Sequence, residues 1–234
     1  MSNVILVRVD RKNGFAGEVQ LHAAGLPEGV TASCGKILPG NKDGCIILQA
    51  ALDAPLTAAN ITVTGSATHQ TSDGKKIQLR TELTTYMAFP ANKGLHWPVG
   101  NLTVAVGRPK EIQSIKLSTI NVTLKPGESK RIDVTIERTK EFTESRSPAV
   151  RFDLIFQYRL NWTFGNALPQ GVSMDALKSQ ASIKKEMTTG FIIIKADPSA
   201  QPIQRHLISV MANTSRGLPE QIYSAPPVFL TITK

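Results

Sequence analysis

Two cysteines, four histidines and two tryptophans are the side chains of this 234-residue chain best suited to specific chemistry. Cys34 and Cys45 flank a turn region, Pro39-Gly40 and Asp43-Gly44. Strands folded back there can bring the thiols face to face. A bridge would close a small loop, contribute ~2–3 kcal/mol by restricting the unfolded chain, and imply an oxidising compartment. The other reading is a pair of small buried hydrophobes. Their spacing is not Cys-x-x-Cys, so thiol redox catalysis is not expected. His22, His69, His96 and His206 are scattered without His-x-His or His-x-x-x-His spacing, and no metal site is expected. Asn41-Lys42-Asp43 is the nearest thing to a calcium loop, and a turn accounts for it better. Gly-x-Ser-x-Gly and phosphate-cradling glycine loops are absent, and Ser66, after Gly65, continues a strand. The 18 carboxylates single out no pair. The chain is therefore read as having no catalytic residue, no cofactor-binding residue and no enzyme activity of its own. Trp97, in the loop-like Leu95-His96-Trp97-Pro98, is the candidate ligand contact: a stacking platform for a sugar ring, or packing at an interface between modules. Trp162 reads as a core residue.

The elements that would position these residues are strands. Val4 to Val9, Glu18 to Leu21, Ile77 to Arg80, Leu102 to Val106, Ile132 to Ile136 and Val228 to Ile232 are short, rich in Val, Ile and Thr, and punctuated by turn residues. That pattern predicts an all-β sandwich. Asp73-Gly74 predicts a tight hairpin. Ser173 to Met187, with Met174, Leu177 and Ala181, has a spacing that tolerates a short helix.

The same message is written twice. Leu26-Pro27-Glu28-Gly29-Val30 returns as Leu168-Pro169-Gln170-Gly171-Val172, and Gly44-Cys45-Ile46-Ile47-Leu48-Gln49-Ala50 as Gly190-Phe191-Ile192-Ile193-Ile194-Lys195-Ala196. Two modules follow, residues 1–108 and 109–234, joined through the short linker Gly107-Arg108-Pro109-Lys110. Such a linker restricts their relative orientation. The second carries an insertion within 143–167. The first has no counterpart of the strands between Ile115 and Lys130, so it is expected to lack its opening strand or strands and to be an excerpt of a larger protein.

The net charge of +9 invites a polyanion. The basic residues come in pairs rather than runs, and aromatics are 6% of the chain, so nucleic acid is not an expected partner. No stretch has the length of a transmembrane helix. A signal peptide is not in this sequence. Asn60, Asn101, Asn121, Asn161 and Asn213 each open Asn-x-Ser/Thr, a pattern that Thr-rich strands also generate without purpose.

Pro-Gly-Glu-Ser at 126–129, Val134-Thr135-Ile136-x-Arg138, the repeated Leu-Pro-x-Gly-Val and Gly-x-Ile-x-Ile-x-Ala at 190–196 resemble bacterial immunoglobulin-like repeats of exported, planctomycete-type multidomain proteins. The resemblance implies two tandem immunoglobulin-like β-sandwich modules in a secreted or cell-envelope protein, without active-site residues. The expected function is a non-catalytic spacer or adhesion unit. Its partners would be other domains of the parent protein, or a polysaccharide or protein ligand. The alternatives are a carbohydrate- or polyanion-binding accessory module and a non-catalytic fragment of an exported enzyme.

Overall fold

The structure, a computed structural model, describes residues 1–83, 85–88, 96–99, 101–109, 111–140, 150–154, 168–183, 187–214 and 221–234. Among these there is no helix. The first half forms β1 (Ser2–Arg8), β2 (Val19–Ala24), β3 (Val30–Cys34), β4 (Lys36–Ile37), β5 (Asp43–Ala50), β6 (Ala58–Gln70), β7 (Lys76–Glu82), β8 (Thr85–Ala88), β9 (His96–Val99) and β10 (Leu102–Ala105). The second forms β11 (Ile112–Leu117), β12 (Asn121–Leu124), β13 (Ser129–Arg138), β14 (Val150–Leu154), β15 (Val172–Met174) and β16 (Ser182–Ile183). It continues with β17 (Thr189–Ala196), β18 (Ile203–Ile208), β19 (Val210–Thr214), β20 (Gln221–Ser224) and β21 (Val228–Ile232).

Alternation explains the second module. Along β13, Ile132, Val134 and Ile136 are buried while Arg131, Asp133 and Thr135 face water. One sheet runs β11-β13-β17-β15, and opposite it lie β12-β21-β18 and β16-β14-β19-β20. Strands β18 and β19 are one long strand interrupted at Ser209, and β20 and β21 are its equally interrupted hairpin partner. Two opening strands flank this sandwich: β11 beside β13 in antiparallel pairing, and β12 beside β21 in parallel pairing. This is the immunoglobulin-like arrangement.

The first module repeats the plan with β1-β5-β3 against β4-β2-β6, β6 pairing in turn with β7 and β10. The repeated Leu-Pro-x-Gly-Val is a tight turn in both places. Val30 N donates to Pro27 O at 3.1 Å, and Val172 N to Pro169 O at 3.0 Å. Gly29 and Gly171 have φ of 72° and 78°, a region that favours glycine. Each turn is then tied to the following segment, by Ala51 N to Gly29 O at 2.9 Å and Asp197 N to Gly171 O at 2.7 Å. The Asp73-Gly74 hairpin expected between β6 and β7 is present, with Gly74 N donating to Thr71 O at 2.9 Å.

The two modules are not beads on a string. Strands β1-β5-β3 continue a seven-stranded sheet through β20, joined at the pair Ser2 and Ser224. Ile46, Leu48 and Val7 pack into the first module's core, whereas Cys45 and Ile47 belong to the core of the second. Cys45-Ile46-Ile47-Leu48 is a continuous apolar run because both of its faces are covered.

One expectation needs correction. Between Ser173 and Met187 the described residues hold β15, a turn and β16, with no helix. Asp175 Oδ1 accepts from Lys178 N at 3.2 Å, and Ser179 Oγ donates to Asp175 O at 2.6 Å. These short polar side chains compete with helical backbone bonding and hold the chain as a turn. Phe142, the Glu144 to Pro148 stretch and Trp162 lie outside the described residues.

Candidate functional site

The cysteines do not meet. The ladder between β3 and β5 places Cys34 opposite Ile46, so Cys34 and Cys45 project to opposite faces of the sheet. Both thiols are free. The disulfide expectation is corrected by this register: a one-residue offset reverses the face. Cys34 is half-buried against the first module's core, where burial raises its pKa and a backbone hydrogen bond involving Ala23 partly offsets that rise. Burial pushes the Cys45 thiol up to about 12. Its Sγ lies 3.8 Å from Leu207 O, in the seam between modules. Neither is a thiolate at neutral pH, so neither is poised as a nucleophile or soft metal ligand.

The histidines stay apart. His22 is on β2, His69 on β6, His96 on β9 and His206 on β18. His69 makes an edge contact with Phe15, with ring centroids 5.9 Å apart. Among the described residues no three His, Cys, Asp or Glu side chains could hold a metal. Trp97, expected in a loop, lies on β9, with its backbone opposite Met87 of β8.

The sequence reading missed a groove on the outer face of the β2-β6-β7 layer. Even positions of β6, Thr62, Thr64 and Ser66, point away from the core, whereas Ile61 and Val63 point into it. The ladders set His22 opposite Thr64, and Ser66 opposite Arg80. An open groove of about 420 Å³ results, lined by Ala23 and Ala24 as well as His22, Thr62, Thr64, Ser66 and Arg80. His22 Nε2 and Ser66 Oγ are 2.9 Å apart. A serine and a histidine within bonding reach are part of a nucleophilic constellation, which the described residues do not complete. No described carboxylate is hydrogen-bonded to His22, and Ser66 sits on a regular strand with its neighbouring amides engaged in the ladders. Most of the groove's exposed lining is apolar, and its polar groups are few. The Thr-x-Thr-x-Ser alternation was visible beforehand; its meeting with His22 and Arg80 depends on strand pairing.

No protein-family model matches the chain, and no curated protein does. Among solved structures it is similar to domains 4 and 5 of the S-layer protein SbsC, at a TM-score of 0.29 and 7% identity over 96% of this chain and 75% of that one. It is also similar to the Ig1-Ig2 pair of Dpr2, seen in complex with DIP-Theta, at a TM-score of 0.30 and 13% identity over 100% of this chain and 91% of that one. Likeness this distant says nothing about activity. Strand order itself makes the chain all-β with immunoglobulin-like sandwich modules. Among the described residues no helix is long and apolar enough to cross a membrane.

Proposed function

We propose that this chain is a non-catalytic structural and interaction unit of a larger secreted or cell-envelope protein. Two modules, residues 1–108 and 109–234, would hold its other parts at a fixed spacing. The supporting observation is the doubly covered β1-β5 layer: one strand pair serves both cores, so the modules move as one strut. Interfaces of this apolar kind suppress the inter-domain motion that is otherwise the default. Pulling the chain between its termini in optical tweezers tests this. A single rupture containing both modules is expected; independent rupture of each module sinks the strut.

A second reading, a polysaccharide- or polyanion-binding accessory module, is favoured by the His22, Ser66 and Arg80 groove, with Trp97 as a further contact. A glycan array with the wild type, Arg80→Ala and Trp97→Ala decides it. Loss of a specific signal in either variant supports binding. No signal for the wild type leaves the strut alone.

A further inference from the structure

Asn13-Gly14 is the single Asn-Gly pair in the chain, and it lies exposed in the connection from β1 to β2. The φ values of 51° and 74° and the bond from Phe15 N to Lys12 O at 3.1 Å define a two-residue turn of type I′. Gly14 N makes no hydrogen bond among the described residues. A Cβ built on Gly14 would meet nothing within 4 Å.

Both ends of this turn are anchored. Arg11 donates from Nε to Asn41 O at 3.0 Å, from Nη1 to Gly17 O at 2.6 Å and from Nη2 to Leu38 O at 3.0 Å. Phe15 packs against the first module's core and meets the edge of His69. The Arg11 guanidinium also lies 5.4 Å from the centre of the Phe15 ring. Residues 12–14 are a short exposed span between two fixed points.

An Asn-Gly pair can react with itself. Glycine has no Cβ to obstruct its backbone nitrogen, which attacks the carbon of the asparagine side-chain amide. The new N–C bond closes a five-membered imide. The old amide C–N bond breaks, and its nitrogen leaves as ammonia with the proton from the glycine N–H. Water then adds to one of the two imide carbonyls and opens the ring. One opening leaves aspartate. The other leaves isoaspartate, whose main chain runs through the former side chain and is one carbon longer. In a type I′ turn ψ of the first central residue is roughly 30°, so Gly14 N lies nearly opposite Asn13 Cβ across the Cα–C bond. Ring closure therefore waits for the turn to open.

We propose that Asn13 is a site of slow self-modification, converting to aspartate and isoaspartate at a rate set by opening of the span between Arg11 and Phe15. The extra carbon of isoaspartate does not fit a two-residue turn with fixed ends. The product therefore loosens Phe15 from His69 and sets a new carboxylate beside Lys12, whose Nζ lies 3.9 Å from Asp10.

The intact chain is held at pH 8 and sampled over time. Peptide mapping by mass spectrometry locates each conversion, and enzymatic methylation of isoaspartate identifies that product. Asn13 should convert before the other asparagines. The free peptide of residues 11–17, Arg-Lys-Asn-Gly-Phe-Ala-Gly, should convert about tenfold faster than the intact chain, because folding keeps the reactive conformation scarce. Arg11→Ala removes one anchor and should move the chain towards the peptide's rate. Gly14→Ala obstructs the attack and should slow conversion. Chain carrying isoaspartate, separated by ion exchange, should exchange the Phe15 amide faster than unmodified chain. Should Arg11→Ala fail to fold, the comparison of wild-type chain with peptide decides alone. The proposal is overturned if another asparagine converts first, if chain and peptide convert at one rate, or if Gly14→Ala changes nothing. Asn13 intact after roughly a hundred peptide half-lives, or an unchanged Phe15 amide in the modified chain, would also overturn it. None of these outcomes touches the single-rupture test of the strut.

Discussion

Burial sets the behaviour of Cys45 by excluding the charged form of its thiol. The folded pKa of about 12 lies above the ordinary 9.0. The stabilisation from keeping this thiol protonated is complete below pH 9 and is lost as pH rises through 12, on the order of 4 kcal/mol in full. Unfolding free energy in urea should therefore fall between pH 9 and 12, and fall less in Cys45→Ala. Equal slopes in the two proteins would contradict this. Alkylation at pH 8 followed by mass spectrometry should label the half-buried Cys34 first and reach Cys45 only when the chain unfolds. Unfolding curves with and without reductant should coincide, because no bridge spans the sheet.

The turn glycines carry the repeat. A Cβ on Gly29 would lie 2.7 Å from Ala54 Cβ, and one on Gly171 would lie 3.1 Å from Ala200 Cα. Gly29→Ala and Gly171→Ala should each cost about 1–2 kcal/mol for the backbone alone. Gly29→Ala should cost more, since it also displaces Ala54. Thermal denaturation measures both, and an unchanged melting temperature in either would refute the turn assignment. These turns were legible because glycine at positive φ is a local requirement. The same holds for the Ile132, Val134 and Ile136 alternation of β13 and for the Asp73-Gly74 hairpin. The His22, Ser66 and Arg80 groove was not legible, because three strands must be in register before it exists. The cysteine pair shows the limit most sharply: a spacing compatible with facing strands does not say which face, and a one-residue offset decides that.

At the scale of the molecule, Gly44 to Ala50 and Gly190 to Ala196 read as equivalent strings but meet different surroundings. Ile47 is fully buried in the seam, whereas its counterpart Ile193 is half-buried on an outer face where Arg131 lies 3.7 Å over the Phe191 ring. Ile47→Ala should cost about 2–5 kcal/mol as a core truncation. Ile193→Ala should cost less than half as much, and calorimetry on the two variants compares them. Equal costs would mean the seam is not a true core. The difference was illegible in sequence because the seam joins residues as far apart as Cys45 and Leu207, 162 positions along the chain. Pairing of Ser2 with Ser224 has a consequence for biosynthesis. Strand β1 finds its β20 neighbour only after the whole of the intervening chain has been made. Until then, the side of β1 and β5 carrying Val4, Leu6, Cys45 and Ile47 has no cover. Contacts of such sequence separation form slowly and leave apolar strands exposed meanwhile. The nascent first half thus keeps one apolar sheet face open to solvent until the second half arrives to cover it.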